Sequence, residues 1–264
     1  MKIAVVQIDV LNGQREENLR RIERRLRTID VELAVLPELV TSGYLFADRA
    51  SLLPLAEPAA PGAPSFELLK RLARRSSMHI VAGFPELCED RIYNSAMLVG
   101  PEGLVGVYRK THLFDREHSL FDPGDSGFRV FDLPGLRLGI MICFDWAFPE
   151  SARSLVLAGA QLIAHPANLV LPYFQNASIT RALENRLFIA TANRIGIERV
   201  DDQELTFTGR SQIVAPDGRV LARADGKRSR TLLVDIDPRQ ADDKHLTPRD
   251  HLLQRRRPEL YRTT

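Results

Sequence analysis

The chain has 264 residues and a formal net charge of +2, with 44% apolar and 27% charged residues, proportions ordinary for a globular protein in water. That length suits one large α/β domain whose core needs neither disulfide nor structural metal, and so small a net charge gives no argument for a nucleic-acid partner. The two cysteines, Cys88 and Cys143, are far apart and form no CxxC pair, which argues against a disulfide framework or zinc ribbon and for a reducing, cytoplasmic setting.

In chain order, KIAVVQI (2–8) predicts a buried strand. A helix over 15–30 follows, with Leu19, Ile22, Leu26 and Ile29 on one face. VELAVLPE (31–38) predicts a second strand, stopped by Pro37. The Pro-rich run 53–65 reads as a long loop at the rim of a site rather than a linker, because only one strand–helix–strand unit precedes it. Ser65 is expected to cap a helix over 66–76, and HIVAGF (79–84) to form a third strand. Hairpins are predicted over 93–110, turning at Pro101-Glu102-Gly103, and over 128–143, turning at Pro134-Gly135. Pro149 opens a helix over 149–160, followed by a strand (161–167), a helix (178–187) and a strand (188–195). A hairpin over 211–224 and a strand over 231–237 lead to a polar, basic tail. Early strand–helix alternation with hairpins inserted later implies mixed sheets sandwiched by helices, in a single domain over 1–264 with 240–264 as a C-terminal arm. No run of ~18 apolar residues occurs and the N-terminus lacks a signal-peptide pattern, so no membrane partner is expected.

In open α/β sheets chemistry collects beyond the carboxyl ends of strands. Three reactive side chains stand there: Glu38 after LAVLP, Lys110 after LVGVYR and Cys143 after LRLGIMI. Taken singly, each has an ordinary structural explanation: a solvated carboxylate, a lysine at a strand end, a cysteine filling a core. As a set they supply a proton carrier, a cation and a nucleophile.

The residues around them are similar to the three signatures of the nitrilase superfamily of carbon–nitrogen hydrolases. The first resembles LAVLPELVTSGY (33–44), the second GVYRKTHLFDREHSLFDPGD (106–125) and the third GIMICFDWAFPE (139–150). Further likeness lies at HPAN (165–168), RALEN (181–185), ANRIG (192–196), GRSQIVAPDGRVL (209–221) and RRPELY (256–261), so the resemblance spans nearly the whole chain. It implies a four-layer αββα sandwich of two mixed sheets. It also implies a catalytic Glu38, Lys110 and Cys143, with Glu117 as a second glutamate that positions Lys110 or accepts a substrate N–H.

The chemistry so implied is hydrolysis of small aliphatic amides to carboxylic acid and ammonia through a Cys143 thioester. Glu38 would relay the protons, while Lys110 and the backbone N–H of Phe144 would hold the oxyanion. No step calls for a metal or organic cofactor. Tyr44, Phe46, Phe144, Trp146 and Asn168 are expected to line the substrate pocket. Ala147 stands where many family amidases carry Arg, which removes an argument for a carboxylate- or carbamoyl-directed pocket; Phe144-Asp145 in place of Trp-Glu favours amides, with nitriles as the alternative. The family's habit implies a homodimer or higher homo-oligomer, paired through helices near 149–160 and 176–186 with the tail across the partner.

Other leads are weaker. GDSG (124–127) resembles a serine-protease stretch but has no supporting His–Asp framework and reads as a turn. His112 with His118 makes a poor metal pair. The Arg-rich tail is interrupted by Asp242, Asp243, Asp250 and Glu259, which suits a solvated arm better than a nucleic-acid surface; a catalytically silent interaction protein is the remaining alternative.

Overall fold

The computed structural model describes residues 1–262. The first sheet is built by β1 (Lys2–Gln7), β2 (Leu33–Val35), β3 (His79–Cys88), β4 (Arg91–Gly100) and β5 (Gly103–Arg109). The second holds β6 (Val130–Leu133), β7 (Leu136–Ile140), β8 (Leu162–Ala167) and β9 (Phe188–Asn193). A separate antiparallel ribbon, β10 (Ile195–Val200) with β11 (Gln203–Thr208), interrupts the chain before β12 (Gln212–Val214) and β13 (Val220–Arg223) complete the second sheet. Strand β14 (Arg230–Asp235) returns to the first sheet beside β1. The orders are β14-β1-β2-β3-β4-β5 and β13-β12-β9-β8-β7-β6, six strands each. Both sheets are mixed: β1-β2-β3 and β7-β8-β9 run parallel, while the flanking pairs are antiparallel.

Burial on both faces explains why these strands read as continuous apolar runs. In β1, Ile3 and Val5 join Leu33, Val35, Leu138, Ile140 and Ile163 in the core shared by the two sheets. The alternate residues Ala4 and Val6 pack under helices α1 (Arg15–Leu26) and α2 (Pro64–Ser76), against Ile22, Leu26, Leu69 and Leu72. On the outer face of the second sheet, α3 (Pro149–Leu157) and α4 (Phe174–Asn185) contribute Leu155, Phe174 and Ala182. The result is the αββα sandwich. None of the helices of the described residues is long and apolar enough to cross a membrane.

The observed elements differ from the sequence-based expectation in three instructive places. Ser65 is not a helix cap: α2 starts at Pro64, whose fixed φ suits the first helical position, and the Ser65 N–H donates to the Glu57 carboxylate at 3.2 Å. The strand expected over 188–195 ends at Asn193, and the β10–β11 ribbon grows from it through Gly196, whose φ of +103° turns the chain. The tail is tied down near its start, where the Lys244 Nζ donates to the carbonyls of Asn185 and Arg186 at the end of α4 (3.2 and 2.8 Å).

Parallel pairing of β2 with β3, and the double reversal through β4 to β5, bring the carboxyl ends of β2 and β5 to one edge of the first sheet. The turn after β2 is stitched to β3: Val40 N–H donates to Gly83 O at 2.9 Å and Gly83 N–H to Pro37 O at 3.1 Å. No side chain fits at Gly83, because a Cβ there would lie 2.5 Å from the Cα of Glu38 and 2.5 Å from the N of Leu39. Gly83→Ala is therefore expected to cost about 1–3 kcal/mol of stability by overpacking. Thermal unfolding measures it, and a wild-type midpoint would show that the two backbones are not in close contact.

Candidate functional site

Each of the three strand-end residues is positioned by backbone, not by its side chain alone. Glu38 sits in the turn stitched to Gly83. Lys110 follows β5, with its N–H donated to Asn94 O (2.8 Å) and its C=O accepting from Gly124 N–H (3.0 Å). Gly124 belongs to the GDSG stretch, and a Cβ there would lie 2.5 Å from Lys110 O, so this turn is a close-packed support for the lysine. Cys143 follows β7 and opens a single 3-10 turn, Cys143–Ala147, with a φ of +38°, a region that a β-carbon disfavours.

Two buried groups hold that turn. Asp145, fully buried, accepts from Ile142 N–H (2.8 Å), Tyr108 OH (2.7 Å) and His112 N–H (3.1 Å), so it joins the cysteine turn to both flanks of Lys110. His165, also fully buried, faces Cys143 O with Nε2 at 3.0 Å and Thr191 Oγ1 with Nδ1 at 3.3 Å. A carbonyl oxygen only accepts, so the Nε2 nitrogen carries the hydrogen and the Nδ1 nitrogen accepts. Burial lowers the His165 pKa to about 4, which keeps the ring neutral at neutral pH.

The side chains then converge. Lys110 Nζ donates to Glu38 Oε1 and to Glu117 Oε1, each at 2.7 Å. Tyr44 OH donates to Glu117 Oε1 (2.7 Å), and Phe114 N–H reaches Glu117 Oε2 (3.3 Å). Asn94 Nδ2 donates to Glu38 Oε1 at 2.7 Å. Glu38, Tyr44, Asn94, Lys110 and Glu117 are all buried. Burial alone would push the Lys110 ammonium down, but the carboxylates of Glu117 and Glu38 outweigh it and hold it well above the usual lysine range. Burial raises the Glu117 carboxyl to about 7 against the opposing pull of Lys110. Burial and then Glu38 push the Cys143 thiol well above its ordinary range, with Lys110 pulling back less.

Beside Cys143 lies a cleft of about 40 Å³ lined by Phe114, Phe144, Trp146, Asn168, Leu169, Val170 and Leu171. Both side-chain amide atoms of Asn168 are buried there without a partner among the described residues. Of the residues expected to line a substrate pocket, Phe144, Trp146 and Asn168 line this cleft, and the Tyr44 hydroxyl meets Glu117. Phe46 is not among the lining residues: it packs with Tyr44, Leu45, Leu120 and Phe121 in an apolar cluster behind the site. A larger depression of about 640 Å³ lies between α3 and the C-terminal segment, and Glu38, Lys110 and Cys143 do not line it.

Sequence reading missed Asn94, Asp145, His165 and the Arg194–Glu198 pair. The last is a buried ion pair in which Glu198 also accepts from Tyr44 N–H (3.0 Å) and Leu45 N–H (2.7 Å). It thereby fixes the loop that carries Tyr44 to the β10–β11 ribbon. The available signals were polar residues within apolar runs, such as Asn94 in YNSAMLVG, whose side chain meets Glu117 and Glu38 at 23 and 56 positions away.

This fold and site define a carbon–nitrogen hydrolase. The chain belongs to the carbon-nitrogen hydrolase family, whose model matches residues 2–244, and shares the sandwich of the nitrilase superfamily. It is 42% identical to a protein of Pyrococcus abyssi named nitrilase, over 99% of each chain. It is 37% identical to an (R)-stereoselective amidase of Pseudomonas sp., covering 91% of this chain and 87% of that one. Among solved structures, a variant of the amidase from Nesterenkonia sp. AN1 superimposes with a TM-score of 0.80 at 25% identity, over 98% of each chain, and shows the result of Michael addition of acrylamide at its active site cysteine.

His165 generates a pH prediction. Its folded pKa of about 4 lies below the ordinary 6.5, so the unfolded chain binds the proton more readily. The stability it contributes is complete above about 6.5 and is lost as pH falls toward about 4. Thermal unfolding should show the gap between wild type and His165→Leu shrinking over that window. A gap constant with pH would show that His165 is not held neutral.

Proposed function

We propose that the protein hydrolyses small, uncharged aliphatic amides to carboxylic acid and ammonia through a thioester on Cys143. One observation carries the substrate class. The cleft beside the thiol is lined by aromatic and aliphatic side chains and one amide, Asn168, with no charged residue among them. A substrate carboxylate would be desolvated there without a counter-ion, at a cost of several kcal/mol. Ala147, in place of the Arg common in related amidases, agrees with this.

The protonation states support a base-assisted attack. A thiol held well above its ordinary pKa is not a preformed thiolate, so its proton must leave as sulfur attacks. Glu38 takes that proton while the S–C bond forms. It then gives the proton to the nitrogen as the C–N bond breaks and ammonia departs. Water next attacks the thioester, passing a proton through Glu38 to the sulfur and releasing the acid. An ammonium has three N–H donors. Lys110 spends two on Glu38 and Glu117, leaving one for the oxyanion, with the Phe144 N–H at the start of the 3-10 turn as the second donor. Glu117, pinned by Tyr44 and Phe114, holds Lys110 in place.

A nitrile substrate is the second reading, favoured by the 42% identical relative named nitrilase. We also propose a cytoplasmic homodimer. The two cysteines are unpaired, and Leu157 and Leu183, on the outward faces of α3 and α4, are 49% and 41% exposed. A monomer in light scattering at micromolar concentration would end the pairing proposal.

Ammonia release across amides and nitriles sharing each acyl group is the decisive assay. Short-chain amides should turn over faster than their nitriles and faster than amides bearing a carboxylate. A preference for nitriles would reverse the assignment. Cys143→Ala should lose all turnover while melting normally, and mass spectrometry of the wild type should detect an acyl adduct on Cys143; turnover by the alanine variant would sink the mechanism.

A further inference from the structure

The two oxygens of Glu38 have unequal surroundings. Oε1 accepts from Lys110 Nζ and from Asn94 Nδ2, each at 2.7 Å, whereas Oε2 is buried and has no partner among the described residues. A carboxylate's terminal torsion is broad and roughly twofold, so Lys110 alone could hold either oxygen. Asn94 removes that freedom. It stands on β4, 1% exposed, with its C=O accepting from Lys110 N–H at 2.8 Å, so the amide and the ammonium share one backbone register. The second hydrogen of Nδ2 points toward Glu117 Oε2 at 3.5 Å, which places the amide between both carboxylates. Flipping the amide would set Oδ1 against carboxylate oxygens, acceptor facing acceptor, so its orientation follows from its neighbours.

We propose that Asn94 is a positioning residue that occupies Oε1 of Glu38 and so commits Oε2 to the proton transfers with Cys143. An oxygen already accepting two hydrogen bonds, one from a cation, is a poor proton acceptor; the open oxygen takes the thiol proton and later returns it. This inference rests on the reading of Glu38 as the base.

The test compares wild type, Asn94→Leu and Asn94→Ala. The leucine variant keeps the size and removes the N–H donors without adding a charge; the alanine variant removes the whole group. Both should lose roughly 10²-fold in kcat, with KM changed less than about threefold. Alkylation of Cys143 by methyl iodide, which carries no amide, follows thiol deprotonation without any turnover. The acid limb of its pH profile should move to higher pH in both variants, because a carboxylate stripped of a donor binds its proton more tightly. A kcat within about threefold of wild type, a loss confined to KM, or a fall in kcat with an unmoved alkylation profile would each overturn the proposal. So would unfolding of both variants, which would mark Asn94 as a purely structural residue. Failure of the underlying reading is separate: a wild-type kcat in Glu38→Gln would remove the base itself, whatever the Asn94 variants do.

Discussion

The constraint on which the site depends is one ammonium buried between two carboxylates. Lys110 Nζ touches Glu38 and Glu117 at 2.7 Å in a place with almost no solvent exposure. Burying such charges is unfavourable in itself, and it is tolerated only when pairing and hydrogen bonds are complete. Tyr44, Phe114 and Asn94 supply most of the remaining bonds. Two acidic groups against one cation leave the cluster short of positive charge. Burial raises the Glu117 carboxyl to about 7 and pushes the nearby thiol up, and the Glu38 carboxylate adds to both shifts.

Rigid backbone keeps those charges together. Gly83 lies against the Glu38 turn and Gly124 against the Lys110 turn, with no room for a side chain at either. Asp145 spans from the cysteine turn to Tyr108 and His112, on either side of the lysine. His165 holds the carbonyl of Cys143, a residue with positive φ. The thiol is thus set by contacts from both sheets, and the strain at Cys143 is borne by groups with no evident chemical step of their own.

A second layer of support comes from the β10–β11 ribbon. Arg194, buried and with its guanidinium 4.0 Å from the Phe207 ring centre, pairs with Glu198, which in turn accepts from the backbone of Tyr44 and Leu45. The Tyr44 hydroxyl then meets Glu117. The ribbon lies outside the two large sheets, yet it sets where one donor to the carboxylate cluster sits.

The sequence by itself determined the alternation of elements, because strands buried on two faces and helices buried on one leave distinct apolar periods. It also determined the three reactive strand ends, because Glu38, Lys110 and Cys143 each stand where an apolar run stops, within stretches resembling family signatures. Tertiary structure alone decided the rest. Whether Phe46 lines the cleft or packs behind it depends on the path of the 43–46 loop, which Glu198 fixes from 153 residues away at Leu45. Ser65 lost its expected capping role to the proline before it. Asn94 and His165 carry no local signal of what they touch, since hydrogen bonds have direction and reach but no sequence range. Only folding brings the Asn94 amide to one oxygen of Glu38 and leaves the other open.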